Sequence, residues 1–428
     1  MNKKIFLLIF ILAILVRFIY LLVFSGLQDT HFADSYEYNN YAVSLISGEG
    51  YRNGEIRSFR IPGYPIFLAS IYSVFGQSQP AVKIIQVIIS GFNCILIYFV
   101  ALKIADSKTA LLSALISCFY FDLFIWPSHI MTETIFTFFV TLLILSLLYT
   151  DNVVISAVCL GLTTLIRPEG ALISPFICFW FFIRYRDSLT IAIKKSILMG
   201  ICLILMIAPW TIRNYFVHRA FVPLTTLGGN VFWGSNNDLS GGREYRRHIE
   251  NHIKKLPNQL TEIELDKLGY EEGKKWLKNQ SLPKILKLYF LKIAAFLTPF
   301  SGIGGGWYGY LSVYNLTYGL LFPFWIFGMY LIFKPPHKEA ILLFFVILSG
   351  VMTTLIFYGL PRFRAGISPC IIIFAASGMM HFFSIFKKKI TIVFTSFIWF
   401  FLNIMVYFYS EPISSTIRSV VNIIRKTG

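Results

Sequence analysis

Met1-Asn-Lys-Lys4 leads into IFLLIFILAILVRFIYLLVF, residues 5–24, and a few residues later the chain reads His31-Phe-Ala-Asp34-Ser-Tyr-Glu37-Tyr. An apolar run of about 20 residues is the length at which a helix crosses the hydrocarbon core of a bilayer. The run is too long for the apolar part of a signal sequence and lacks a small-x-small cleavage site, so an uncleaved first span is expected. The remaining chain follows the same pattern. Of 428 residues, 56% are hydrophobic and 14% charged, with 43 Phe, whereas soluble domains carry about a quarter charged residues. A transmembrane β-barrel is excluded, because its strands would alternate apolar and polar over roughly ten residues. The expected fold is an all-α polytopic membrane protein.

Apolar windows near 5–25, 82–104, 109–127, 131–149, 153–167, 170–184, 191–211, 311–333, 340–359, 365–386 and 390–409 predict eleven spans. The net charge of +17 is no nucleic-acid signature, because much of it lies in short loops. Lys3 and Lys4, Lys103 and Lys108, Arg184 and Arg186, Lys194 and Lys195, Lys334 and Lys338, and Lys387 to Lys389 mark one side as cytoplasmic. The alternate loops then face outward and hold Asp34, Glu133, Arg167, Glu169, Arg213, Arg362 and Arg364.

The predicted organisation is a membrane module 1–211 with a first external loop 26–80, an external region 212–310, C-terminal membrane helices 311–410 and a tail 411–428. In the first loop a short helix is expected from Ser35 to Ser47, ending at Gly48-Glu-Gly50. Tyr64 to Phe75 is too short to cross and is expected in the interface. The stretch 284–300, interrupted by Lys284, Lys287 and Lys292, is read as an interfacial helix, and Gly302 to Trp307 as a loop. Cys94, Cys118, Cys159, Cys178, Cys202 and Cys370 all fall in apolar segments without a Cys-x-x-Cys pair, so no disulfide framework or metal knuckle follows.

The chemistry therefore has to come from the outward loops. Asp34 can accept a proton from an acceptor hydroxyl, or hold a divalent cation together with Glu133. It also has the position of a helix N-cap, with Glu37 at capping-box spacing. Arg60, in Arg60-Ile-Pro62-Gly-Tyr64-Pro65, can grip a phosphate bidentately or face lipid headgroups. Glu133 opens the fourth span, where the helix dipole favours a carboxylate. Arg167 and Glu169 flank Pro168, and can be a surface pair. With Arg213, Arg362 and Arg364, four outward loops bring arginines to one membrane face, which points to an external anionic ligand. His248 and His252 are spaced i, i+4 but read as a solvated face. No Walker motif or dinucleotide fingerprint is present.

The order of these pieces resembles the GT-C superfamily of membrane glycosyltransferases. Within it, the chain is most similar to the bacterial branch of lipid A aminoarabinose transferases and protein O-mannosyltransferase relatives, of glycosyltransferase family 39 type. The matching pieces are Asp34-Ser-Tyr-Glu-Tyr, Gly48-Glu-Gly50-Tyr51, Arg60-Ile-Pro-Gly-Tyr64-Pro, Gln86, Thr132-Glu133, Arg167-Pro-Glu169, Pro209-Trp-Thr-Ile-Arg213-Asn-Tyr and Arg362-Phe-Arg364. The resemblance implies a GT-C-type bundle in a bacterial cytoplasmic membrane with an outward active site. It also implies a polyprenyl-phosphate sugar donor, inversion at the anomeric carbon, and an acceptor glycolipid, glycan or protein. The implied catalytic carboxylate is Asp34. Ser35 stands where relatives often carry a second acid, leaving Glu133 or Glu37 for that part. Donor phosphate would meet Arg60, Arg167, Arg213, Arg362 and Arg364, with Glu37, Tyr64 and Glu169 in support. Two rival readings are a polysaccharide polymerase or ligase using a diphosphate-linked donor, and a lipid-linked-sugar flippase. Charges clustered at one face, and no internal repeat, weigh against the transporter.

Overall fold

The computed structural model describes residues 3–28, 32–245, 249, 260–303, 311–331, 333, 337–385 and 389–408. The His248–His252 pair, Gly304 to Trp307 and the tail 411–428 lie outside them. Among the described residues the chain is helical but for one short hairpin. The membrane helices are α1 (Lys3–Tyr20), which continues as a wide turn to Ser25, α4 (Gln79–Ile104), α5 (Ser107–Phe119), α6 (Phe121–Ile125), α7 (Glu133–Tyr149), α8 (Val153–Ile166), α9 (Ile173–Arg184), α10 (Leu189–His218), α14 (Leu316–Leu331), α15 (Lys338–Ile356), α16 (Ser368–Ile385) and α17 (Lys389–Phe408). Between them lie α2 (Ala33–Ile46), α3 (Gly63–Phe75), α11 (Gly228–Ser235), α12 (Glu262–Lys278), α13 (Leu282–Leu297) and the antiparallel pair β1 (Phe300–Ile303) and β2 (Leu311–Tyr314), with Phe300 opposite Tyr314.

Each of the eleven apolar windows contains a helix, although 311–333 opens on β2, and among the described residues five helices are long and apolar enough to cross a membrane, or six if the bent pair is one span. The window 109–127 is not one straight helix: it breaks at Tyr120, and the two parts meet at 57°. Hydropathy is blind to this, because both sides of the break are apolar. The window ending at 211 also differs, since α10 runs through Pro209 to His218. Its last turns are tied down by Trp210 Nε1, which donates to the Leu224 carbonyl at 2.6 Å. Gly302, expected in a loop, lies within β1 and pairs with Ser312.

Bundle packing uses small residues where backbones must approach closely, as membrane helices do. A Cβ on Gly328 of α14 would lie 1.9 Å from the Phe374 carbonyl of α16, and one on Gly378 would lie 2.1 Å from Phe324 O. One charge sits deep inside. Arg17 of α1 is fully buried and donates to Ser90 Oγ (2.7 Å), to the Ala13, Cys118 and Ser117 carbonyls, and to Cys94 Sγ (3.3 Å). These use all five guanidinium N–H donors, which makes a buried arginine tolerable. The six cysteines are free thiols.

Two pieces outside the bundle set up the site. Helix α3 buries Tyr64, Pro65, Leu68 and Tyr72, and stops at Gly76, whose φ is +67°. At its start Gly63 abuts the end of α8, where a Cβ would lie 2.4 Å from the Leu165 carbonyl. Only glycine lets the 60–63 turn reach the helix that ends just before Arg167.

Candidate active site

Helix α2 begins after Phe32, and no side chain caps it. The capping reading of Asp34 is thus corrected: the helix starts at Ala33, two residues earlier than that reading requires, and Asp34 lies in its first turn. Asp34 and Glu37, one turn apart, face the same arginine instead. Arg60 Nη2 meets Asp34 Oδ1 at 2.7 Å, and Arg60 Nε meets Glu37 Oε2 at 2.6 Å. The guanidinium lies over the Tyr38 ring, 5.1 Å from its centroid. Burial alone would make Arg60 less basic, but Asp34, Tyr38 and Glu37 outweigh it and hold its pKa well above the ordinary value.

The loop carrying Arg60 is fastened at several points. Tyr51 OH donates to the Arg60 and Ile61 carbonyls at 2.9 and 3.1 Å, and its ring stacks on Tyr41 at 4.4 Å. The Glu262 carboxylate at the start of α12 accepts from the Arg57 amide, from the Ser58 amide at 3.1 Å and from Thr226 Oγ1 at 2.7 Å. Tyr64 OH donates to Gln86 Oε1 at 2.8 Å, and Gln86 Nε2 in turn donates to the Pro127 and His129 carbonyls. Tyr64 supports the site through Tyr38, against which its ring packs edge-on at 5.1 Å.

A second half comes from the helix ends. Glu133 at the first position of α7 is 1% exposed and accepts from Arg167 Nη1 at 2.8 Å. Arg167 Nη1 also donates to Thr132 Oγ1 at 3.0 Å, and its Nε donates to Glu169 Oε1 at 2.5 Å. Burial works against its charge, but Glu169 and Glu133 raise its pKa above the usual arginine range. Arg362 joins the halves. Its Nη2 lies 3.1 Å from Asp34 Oδ2 and its Nε 3.9 Å from Glu133 Oε1. Asp34, Glu37, Arg60, Glu133, Arg167, Glu169 and Arg362 thus form one ionic network, drawn from positions 328 apart in sequence.

The other two arginines lie apart. Arg213 donates to the Tyr51 and Arg57 carbonyls and to Ser58 Oγ, on the far side of the fastened loop. Arg364 is fully buried, donates to the Phe296 and Thr298 carbonyls, and sits 4.0 Å from the Tyr318 ring centroid. Both hold backbone, which the sequence pattern of outward arginines does not distinguish from ligand binding. The network itself holds four carboxylates against three guanidiniums, so all of its basic charge is compensated and one negative charge is left over. The ion pairs of Arg362 to Asp34 and Glu133, at 3.1 and 3.9 Å, are longer than those of Arg60 and Arg167, and at 23% side-chain exposure it is the most open of the three guanidiniums. The carboxylates do not fit a divalent cation in this arrangement. Both Asp34 oxygens accept from arginine, Arg362 stands between Asp34 and Glu133, and among the described residues no three His, Cys, Asp or Glu side chains gather as a ligand set.

A narrow cleft of about 30 Å³ opens beside the network. Glu169 and Phe363 form its charged end, and Phe136, Val140, Ile173 and Val346 its apolar walls between helices. Phe363 also touches the network, its ring 5.5 Å from Arg167 Cζ. Tyr38, Thr132 and Phe363 lie inside the quoted motifs without a site role assigned to them, and Glu262 escaped the reading of the sequence. Tyr38 and Thr132 were within reach as neighbours of Glu37 and Glu133, while Glu262 carries no local signal.

Residues 60–212, less than half of the chain, match the family model of dolichyl-phosphate-mannose-protein mannosyltransferases. Comparison with curated protein sequences gives no match. Among solved structures, the chain is similar to the oligosaccharyltransferase AglB of Archaeoglobus fulgidus in complex with an inhibitory peptide and a dolichol-phosphate. The TM-score is 0.55 at 14% identity, over 89% of this chain and 50% of that one. The Archaeoglobus enzyme in complex with Zn and sulfate gives 0.54 at 11% identity, over 92% and 52%. ArnT of Cupriavidus metallidurans bound to undecaprenyl phosphate gives 0.43 at 11% identity, over 89% and 78%. The chain spans about half the length of the oligosaccharyltransferase, and at these identities the likeness concerns the fold. In fold, and over residues 60–212 in sequence, this multi-pass membrane protein resembles the GT-C superfamily of membrane glycosyltransferases.

Proposed function

We propose that the chain is a membrane glycosyltransferase that moves a sugar from a polyprenyl-phosphate donor to a hydroxyl acceptor at the outer face of a bacterial cytoplasmic membrane. The observation that carries this is the ionic network at the mouth of an apolar cleft, with Asp34 and Arg362 in contact at its centre. Carboxylates and guanidiniums beside a bilayer are costly unless they are paired or used, and here the pairing is uneven. Arg60 and Arg167 are each gripped by two carboxylates at 2.5 to 2.8 Å. Arg362 pairs with Asp34 at 3.1 Å and with Glu133 at 3.9 Å and is the most exposed of the three, so it is the guanidinium that a donor phosphate can reach.

The chemistry follows from that exchange. When donor phosphate takes Arg362, Asp34 Oδ2 is released while Oδ1 stays fixed by Arg60. Asp34 then accepts the proton of the acceptor hydroxyl as its oxygen attacks the anomeric carbon from the opposite face. The bond from that carbon to the phosphate oxygen breaks, and polyprenyl phosphate leaves with the electron pair, its charge met by Arg362. The lipid tail lies along the apolar walls between α7, α9 and α15. Glu133 keeps Arg167 and Arg362 in place and does not take the proton.

The test is a transfer assay on membranes containing the full chain, with labelled polyprenyl-phosphate sugars and native envelope as acceptor. Asp34→Asn is expected to lose about 100-fold or more, the usual contribution of a positioned base. Full activity in that variant sinks the base role. Activity with diphosphate-linked donors alone would favour a polymerase or ligase.

A further inference from the structure

A second cavity, of about 470 Å³, lies in the external layer formed by α11, α12 and the loop after α11. Its lining differs in kind from the cleft beside Asp34. Two indoles, Trp233 and Trp276, meet the carboxylates of Asp238 and Glu272 and the carboxamides of Asn279 and Gln280. The volume falls in the range of small-molecule sites, roughly 300–1,000 Å³. The polar lining is wrong for a lipid chain. Two carboxylates, each partnered by one lysine (Asp238 by Lys284 at 2.6 Å, Glu272 by Lys275 at 3.5 Å), make it wrong for a phosphate.

Part of this lining is pre-built. Trp276 Nε1 donates to Asp238 Oδ1 at 3.1 Å, and that carboxylate is also held by Lys284, so the indole plane is fixed from its polar edge. The Asn279 and Gln280 side chains make no hydrogen bond among the described residues, although they sit in the turn between α12 and α13. A fixed aromatic face with planar donor and acceptor groups at its rim suits a ring that is apolar on its faces and rich in hydroxyls at its edge. That chemistry is a pyranose. We propose that this cavity binds a saccharide of the acceptor, outside the catalytic network. Its link to the site is physical: α12, which carries Trp276, also carries Glu262, the clamp on the loop that presents Arg60. Saccharide bound at Trp276 would thereby hold the acceptor against the external layer while its hydroxyl reaches Asp34. Calling it the acceptor rests on the glycosyltransferase reading; saccharide binding as such does not.

The test uses the detergent-purified full chain on an array of immobilised neutral and acidic saccharides, with no donor present, beside an array of immobilised peptides. Wild type is expected to bind a subset of the saccharides. The Asn279→Ala, Gln280→Ala double variant removes no hydrogen bond of the fold, and should weaken that binding about tenfold, with an unchanged melting temperature. Trp276→Ala should weaken it at least as much. Absence of saccharide binding, binding equal in the double variant, or binding to peptides that the double variant loses would each overturn the proposal. Asp34→Asn separates the two readings, because it should abolish transfer and leave saccharide binding intact. Normal transfer in Asp34→Asn, with binding still lost in the double variant, would remove the catalytic reading and keep this one.

Discussion

Arg60 meets Asp34 through one nitrogen and Glu37 through another, 2.7 and 2.6 Å away. A planar guanidinium can hold two carboxylates in a fixed fork; an ammonium on a flexible stem cannot. Arg60→Lys is therefore expected to keep the charge and lose the orientation of Asp34. Transfer should fall about tenfold or more, the worth of one charge-assisted hydrogen bond, with little change in donor KM if the donor phosphate is held by Arg362. A rise in KM with kcat unchanged would instead return Arg60 to phosphate binding. The residue scale also shows where sequence reading stops. Asp34, Glu133, Arg167 and Arg362 are all visible as polar residues at the outer ends of apolar runs. Nothing local says that Arg362 reaches Asp34, or that Arg213 and Arg364 Nη1 donate to backbone carbonyls.

Helices α11 and α12 cross at glycine. A Cβ on Gly229 would lie 1.8 Å from the Asp266 carbonyl, and one on Gly269 would lie 2.3 Å from the Gly229 carbonyl carbon. The Gly229 amide donates to Asp266 Oδ1 at 2.6 Å, which fixes the register of the pair. Because the obstacle is backbone, Gly229→Ala must push the helices apart. It should cost about 1–3 kcal/mol locally, read as faster amide exchange over 228–235 and 262–278, with the membrane helices unaffected. Protection equal to wild type would mean that the crossing tolerates a side chain. The start of α12 is fixed by a capping box, in which Thr261 Oγ1 accepts from the Glu264 amide. The closeness of the two helices is not legible in the sequence, because a glycine in a polar helix reads as a weak point until the neighbouring backbone is known.

The bundle as a whole places the network, the fastened loop and the saccharide-sized cavity on one side. Glu262 joins the external layer to the Arg60 loop, and Asp34 and Arg362 join the first loop to the turn before α16. The lysines of the opposite loops predict that this side faces outward. A cysteine placed at Asn279 should then react with a membrane-impermeant maleimide in intact spheroplasts, and one at Lys108 only after permeabilisation. The native thiols are buried or half-buried, which keeps the background low. Labelling with the opposite sidedness would put the network in the cytoplasm and end the outward-facing reading.

Composition and hydropathy alone determined that this is a helical membrane protein, where the helices run, and which loops carry the charges. These follow from transfer of side chains and backbone into hydrocarbon, which each segment answers by itself. The tertiary structure decided which charges meet. It bent the chain at Tyr120, turned Asp34 from a helix cap into the partner of Arg60 and Arg362, and placed Arg213 and Arg364 against backbone carbonyls apart from that network. Ion pairing acts over a few ångströms between residues hundreds of positions apart, and no local pattern records that distance.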